Sequence, residues 1–287
     1  MGPGGGTGTL AIQQGGTVNA AQDTVLVPGG TLRLEGGTLD AHTISFQGGG
    51  EFDWTSGTLH VVTFNGNIVN QGGTLAPGHS AGSTTITGTY TQQAGASLAI
   101  DIGGTTPASG YDQVNVAGSA ILGGELQLAM LNGFLPGAGD TFTILNSMGL
   151  NVGVFSNIAT GQRLATTDGL GSFLVHYGPG SAFNQNQVIL TAFELAGDYN
   201  GNGIVDAADY SVWRDTFGLT GSGLAADGNG NGAIDVDDYG IWKSNFGHTA
   251  GSGSGANANA AVPEPATFVM LVVGMLGMLC DRRGVIS

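Results

Sequence analysis

Twelve residues, DYNGNGIVDAAD from Asp198 to Asp209, gather three aspartates and two asparagines in a chain that is only 9% charged. The arrangement returns 29 residues later as DGNGNGAIDVDD, Asp227 to Asp238. Counted from its first aspartate, the first copy places oxygen donors at positions 1, 3, 5, 7, 9 and 12: Asp198, Asn200, Asn202, the Ile204 carbonyl, Asp206 and Asp209. The second places Asp227, Asn229, Asn231, the Ala233 carbonyl, Asp235 and Asp238 at the same positions. Gly203 and Gly232 hold position 6, where a loop wound around an ion turns sharply and a side chain would be strained. Hard oxygen donors at this spacing suit one Ca2+ per loop with about six to eight contacts, so two ions in all.

The match to an EF-hand loop is complete except at position 12, where Asp replaces Glu. The shorter carboxylate still reaches an ion if the following helix moves closer. After each loop the chain reads YSVWRDTFG or YGIWKSNFG, an apolar stripe of helical spacing that ends at glycine. Before the first loop, VILTAFELAG reads as a strand ending in a turn, so no helix enters. A loop followed by a helix, twice and without an entering helix, resembles the type I dockerin domain. Eleven of 21 aligned positions are identical between the copies, as in that duplicated module.

The resemblance implies a calcium-dependent plug for a cohesin-like domain on a surface or scaffold protein. It implies contacts from loop positions 10 and 11 and the helix beyond: Ala207, Ala208 and Arg214, then Val236, Asp237 and Lys243. The Ser-Thr pair frequent in that family is missing, which leaves the partner's identity open. Three carboxylates per loop place the affinity at about 10⁻⁷ to 10⁻⁵ M. A helix pair with so few apolar residues should need the ion to fold. The bland alternative is an Asx- and glycine-rich surface turn that binds nothing.

Composition constrains what carries the loops. The 287 residues include 55 glycines and 6 Lys+Arg against 21 Asp+Glu, a formal charge of -15. That balance argues against nucleic acid, which needs basic residues to displace counterions from phosphates. The glycines follow no G-X-Y period, which excludes a collagen helix. A single cysteine, Cys280, excludes an intramolecular disulfide framework.

From residue 1 to 195 one phrase recurs: GGTV at Gly15, GGTL at Gly29, Gly36 and Gly72, SGTL at Ser56 and GGEL at Gly123. Apolar residues then alternate with Thr, Ser, Gln and Asn, as in Leu32 and Leu34, Leu98, Ile100 and Ile102, or Leu126, Leu128 and Met130. Period two means strands with one buried and one solvated face. The reading is a mainly β protein, a right-handed β-solenoid with ragged repeats; a β-sandwich over 88–195 is the alternative. LAPGHSAGSTTITGTYTQQAGASLAIDI, YDQVNVAGSAILGGELQLAML and GDTFTIL, within Leu75 to Leu145, resemble the ends of autotransporter-type passenger domains. That resemblance implies a right-handed β-helix outside the cell.

The expected division is thus 1–195 β-solenoid, 196–249 dockerin-like calcium domain, 250–261 flexible linker and 262–287 tail. The linker's Gly, Ser, Ala and Asn cannot bury a core. The tail opens with Val262, Pro263, Glu264 and Pro265, continues through 15 uncharged residues to Cys280 and ends near Arg282 and Arg283. As a C-terminal hydrophobic helix those 15 residues would span about 22 Å, short of a bilayer's roughly 30 Å core. The two arginines place its end on the cytoplasmic side. Pro-Glu-Pro, a short apolar helix and a terminal Arg pair resemble the PEP-CTERM sorting signal. That implies an exosortase-type enzyme as partner, passage through the inner membrane and an exported, cell-surface or extracellular destination. The N-terminus shows neither a basic n-region nor an apolar h-region, so a truncated or mis-started form of a longer exported protein is expected.

Catalysis is not expected. Residues 1–195 hold only Arg33 and Arg163 as Lys or Arg, too few for the base of a polysaccharide lyase. For a glycosidase the best carboxylate pair is Glu51 and Asp53, flanking Phe52, with Glu35 and Asp40 near in sequence. A solvated strand edge explains them as well. His79 and Ser80 share a turn without an acidic partner in sequence. The reading is therefore a non-enzymatic surface protein docked through its calcium module, with contact to extracellular polysaccharide a further possibility. The alternative is a component of a polysaccharide-degrading assembly attached through that module.

Overall fold

The computed structural model describes residues 7–78 and 81–251. His79, Ser80, most of the linker and the tail residues Val262, Pro263, Glu264, Pro265, Cys280, Arg282 and Arg283 lie outside the described residues. Among the described residues the chain is mainly β, with 17 strands followed by two helices. No helix among the described residues is long and apolar enough to cross a membrane.

The recurring phrase of the sequence is a column in the structure. Thr17 pairs with Thr38, Thr38 with Thr58, Thr58 with Thr74, Thr74 with Ser97 and Ser97 with Glu125, every step parallel. One residue on, Leu39, Leu59, Leu75, Leu98 and Leu126 stack inward and are almost wholly buried. The hydroxyls therefore face out and the leucines in, as the pleat requires. The glycine ahead of each threonine is demanded by space. A Cβ on Gly37 would lie 2.4 Å from the Gly16 carbonyl oxygen, and one on Gly57 2.3 Å from that of Gly37. The ragged intervals also have an explanation. The phrase at Gly29 belongs to a second column, Thr9–Thr31–Glu51, so two phrases seven residues apart share one long strand, Gly30–Phe46.

Two further buried columns run beside the first. Ile44, Phe64, Ile86 and Val116 stack in the same 13-stranded sheet, and Ile68, Tyr90, Ala120 and Asn151 in a separate four-stranded one. In the 13-stranded sheet the parallel order stops at Phe142–Ser147. Gln187–Leu195 pairs with it antiparallel, followed by Gly171–His176 and Gln162–Ala165. Residues 88–147 thus continue the parallel columns, and antiparallel strand pairing belongs to the segment after them. Ala192 in the last strand has a φ of 48°, rarely adopted by a residue with a side chain. Arg163 donates to its carbonyl from Nη1 at 2.9 Å and Nη2 at 2.7 Å and pairs with Glu194, fixing the strand that leads into the first loop.

The helices, α1 (Ala207–Thr216) and α2 (Val236–Asn245), follow the two loops. The expected boundary at 195/196 marks a change of secondary structure inside one compact unit that takes in all described residues. Val205 is part of the main core and Trp242 packs against it. Gly251 N donates to the Leu135 carbonyl at 3.0 Å, returning the chain to the β region after α2.

One buried carboxylate in the β region stands apart. Asp112 is 2% exposed and accepts from Gly82 N at 2.6 Å and Asp101 N at 2.9 Å. Burial raises its pKa to about 7 against those two hydrogen bonds, and the charge of Asp101 adds to the rise. Between about pH 4 and 7 the folded chain holds a proton here that the unfolded chain has lost. Its contribution to stability is full below about pH 4 and is lost as the pH rises through 7. In urea unfolding, the cost of Asp112→Asn should therefore fall by about 2–3 kcal/mol between pH 5 and pH 8. An unchanged cost would mean that Asp112 is already ionised at pH 5.

Candidate metal centre

Each loop closes on itself through its own donors. Asp198 accepts from Asn202 N at 3.1 Å and Gly203 N at 2.7 Å; Asn200 Oδ1 accepts from Asn202 N at 3.0 Å and Asn202 Oδ1 from Ile204 N at 2.8 Å. The second loop repeats these bonds at Asp227, Asn229 and Asn231, at 3.1, 2.9, 2.9 and 2.8 Å. Position 12 ties the two ends together. Asp209 accepts from Asn200 N at 3.0 Å and Asp206 N at 2.8 Å, and Asp238 from Gly228 N at 2.8 Å and Asp235 N at 2.8 Å. Both carboxylates are wholly buried.

Positions 9 and 12 have a duty that the sequence reading missed. Asp206 and Asp235 are helix N-caps, accepting from Ala208 N at 2.7 Å and Asp237 N at 2.8 Å, and with Asp209 and Asp238 they form capping boxes. The signal was present: an Asp-x-x-Asp spacing directly before an apolar helical stripe, with Asp in place of the usual Glu or Gln. Capping accounts for positions 9 and 12 but leaves positions 1, 3 and 5 unexplained.

Among the described residues no three His, Cys, Asp or Glu side chains converge on one point, and none of the six loop aspartates at positions 1, 9 and 12 has a Lys, Arg or His ion-pair partner. The expected set draws half its six ligand residues from asparagine side chains and the main chain. An sp² oxygen accepts two hydrogens. Here most donor oxygens take a single amide hydrogen; Asp206 and Asp235 each accept from two amides as N-caps, and Asp238 Oδ1 also meets Asn229 N at 3.3 Å. The Ile204 and Ala233 carbonyls accept none of the described backbone bonds. A lone pair thus remains on most expected ligand atoms, in loops that carry three negative charges at 198–209 and four at 227–238. These residues fit a hard divalent cation.

The two copies are joined by exchange. Trp213 Nε1 donates to the Asp235 carbonyl and Trp242 Nε1 to the Asp206 carbonyl, both at 2.8 Å, so each helix holds the other copy's loop. The backbone repeats the exchange. Ile234 N donates to Leu219 O and Val205 N to His248 O, both at 2.9 Å, so each loop is stitched to the segment leaving the opposite helix. Tyr210, Trp213, Tyr239 and Trp242 pack ring against ring with centroids 5.1–6.1 Å apart. Phe217 and Phe246 extend this cluster and remain about half exposed.

Position 2 breaks the symmetry. Tyr199 of the first loop reaches over the second and donates to the Asp238 carbonyl at 2.6 Å. Burial, then the charges of Asp238, Asp209 and Asp227, push its phenol well above the usual value. The corresponding residue is Gly228, where a Cβ would lie 2.8 Å from the Tyr199 Oη and 3.2 Å from Ile241 Cδ1.

The expected partner contacts Ala207, Ala208, Arg214, Val236, Asp237 and Lys243 are all exposed. Arg214 is held by Asp215 at 2.9 Å. The carboxylates weighed for catalysis are spread differently. Asp53 and Glu35 flank Arg33 at 3.6 and 3.3 Å, Asp53 also accepts from Gln71 Nε2 at 2.9 Å, and Asp40 stands across the sheet from Asn19 and His60. Glu51 is exposed at the start of its strand. No protein-family model matches the chain, and no curated protein matches it.

Two glycine substitutions separate the packing argument from simple helix propensity. Gly228→Ala should destabilise the helical module by about 1–3 kcal/mol through overpacking against Tyr199. Gly240→Ala, inside α2 with nothing near its Cβ, should stabilise it by about 0.5–1 kcal/mol. Thermal unfolding followed by near-ultraviolet circular dichroism reads both, and equal signs would refute the proposed role of Tyr199.

Proposed function

We propose that the loops at 198–209 and 227–238 bind two calcium ions. The observation that carries this reading is the exchange-linked repetition of one donor set. Twelve ligand residues, six per loop, recur at the same positions with the same amide bonds and with lone pairs left over. Asp198, Asn200, Asn202, the Ile204 carbonyl, Asp206 and Asp209 would hold one ion, and Asp227, Asn229, Asn231, the Ala233 carbonyl, Asp235 and Asp238 the other. The ions would neutralise buried carboxylates and hold each loop against its helix. Their work is structural.

On this reading the module is dockerin-like, and the exposed helix starts at Ala207, Ala208, Val236 and Asp237, with Arg214 and Lys243, face a cohesin-like partner. The β region is then a right-handed β-solenoid that carries the module as a non-enzymatic stalk. The in-register parallel columns support that reading, and an antiparallel end on the last coil accords with it. The C-terminal Pro-Glu-Pro motif with its arginine pair supports export to the cell surface by an exosortase-type enzyme.

Calorimetric titration of the calcium-stripped full chain should show two ions bound at about 10⁻⁷ to 10⁻⁵ M, with a gain of helical circular dichroism. Asp198→Asn lies outside both capping boxes, so it should weaken one site at least about tenfold while sparing the helix start. Absence of binding heat in the wild-type chain would leave the capping boxes as the whole role of these aspartates.

A further inference from the structure

All four asparagines of the loops precede a glycine: Asn200-Gly201, Asn202-Gly203, Asn229-Gly230 and Asn231-Gly232. Such a pair can cyclise, because glycine presents no side chain to hinder its own amide nitrogen. The deprotonated nitrogen attacks the asparagine Cγ, the Cγ–Nδ2 bond breaks and ammonia leaves. Water then adds to either carbonyl of the five-membered imide. One opening gives aspartate, the other isoaspartate, whose main chain runs through the former side-chain carbon. No oxidant, reductant or cofactor enters.

The electrophile is prepared alike at all four positions. Asn202 N and Asn231 N donate to Asn200 Oδ1 and Asn229 Oδ1 at 3.0 and 2.9 Å; Ile204 N and Ala233 N donate to Asn202 Oδ1 and Asn231 Oδ1, both at 2.8 Å. A donor there steadies the negative charge that develops on the oxygen during attack. The nucleophile is not prepared alike. Gly203 N is bound to Asp198 Oδ2 at 2.7 Å and Gly232 N to Asp227 Oδ2 at 2.9 Å. Gly201 and Gly230 are exposed, and their amides make none of the described hydrogen bonds. Position 5 therefore has its attacking nitrogen tied to a carboxylate, and position 3 has it free.

We propose that Asn200 and Asn229 are self-modification sites at which the loops age by deamidation, while the fold protects Asn202 and Asn231. Conversion to aspartate adds one more carboxylate to a loop that already has three at 198–209 or four at 227–238. Conversion to isoaspartate lengthens the loop's main chain by one atom and displaces every later donor. The reaction needs no ion, so its failure would leave the calcium reading standing, and the converse holds.

The test incubates the full chain, folded and in urea, at mildly alkaline pH in ¹⁸O-water. Peptide mapping with fragmentation that separates aspartate from isoaspartate gives a rate for each asparagine. In the folded chain Asn200 and Asn229 should convert at least about fivefold faster than Asn202 and Asn231, the ratio expected from one hydrogen bond of about 1 kcal/mol. In urea the four rates should converge. Asp198→Asn weakens the bond to Gly203 N and should speed Asn202 alone, with the second loop as internal reference. Equal rates at positions 3 and 5 in the folded chain would overturn the proposal, as would an unchanged Asn202 rate in the variant.

Discussion

Two carboxylates with no water around them, Asp209 and Asp238, set the terms for the C-terminal third of this protein. Removing an ionised carboxylate from water costs several kcal/mol unless hydrogen bonds and opposite charge offset it. No Lys, Arg or His forms an ion pair with either among the described residues, so the main chain supplies the offset. Asp209 collects the amides of Asn200 and Asp206, and Asp238 those of Gly228 and Asp235. Each sits in the first turn of its helix, where the macrodipole favours negative charge. To make those bonds the loop must fold back on itself, and the amides at positions 5 and 6 then donate to Asp198 and Asp227 at position 1. Three or four negative charges drawn into twelve residues repel one another, and a divalent cation is the counterion that the donor chemistry suits.

The β region was legible in the sequence because its physics is repetitive. A glycine, a hydroxyl and a leucine recur as a unit since each strand of the column meets the same three demands: a close backbone approach, a wet outer face and a dry inner one. Leu39, Leu59, Leu75, Leu98 and Leu126 could be read as inward-facing without knowing that they form one column. The spacing between phrases could not be turned into register, because loops between strands vary freely in length at little cost. The turn to antiparallel pairing after Phe142–Ser147 was also hidden. Alternation is the same in parallel and antiparallel strands, and the strain at Ala192 is held by Arg163 from another strand.

The candidate site was legible in its donors and hidden in its connections. Positions 1 to 12 and the two helical stripes follow from spacing alone. What spacing cannot show is that Trp213 and Trp242 reach across to the opposite loop, since reciprocal partners 22 and 36 residues away carry no local signature. Nor does it show that a module of two short helices borrows part of its core. Tyr199, Ala226 and Ile234 form a cluster of only three buried apolar residues, with Val212, Trp213, Leu224 and Trp242 packed around it. Val205 is buried with the β region instead.

That borrowing falls unevenly on the two copies. Val205 of the first loop lies in the large core, whereas its counterpart Ile234 lies in the small one. Gly197, just before the first loop, has its Cβ direction 2.9 Å from the Trp242 Cα, so α2 rests against the chain that enters from the β region. The segment leaving α2 is tied on one side to Val205 and on the other to Leu135, while the segment leaving α1 is tied to the second loop. The first loop is thus braced by a preformed scaffold, and the second by the first copy. A braced loop has less conformational entropy left to lose on ordering. Sequence identity between the copies therefore does not make their loops equivalent: both share the reciprocal bonds, and the first alone adds a residue to the core of the β region.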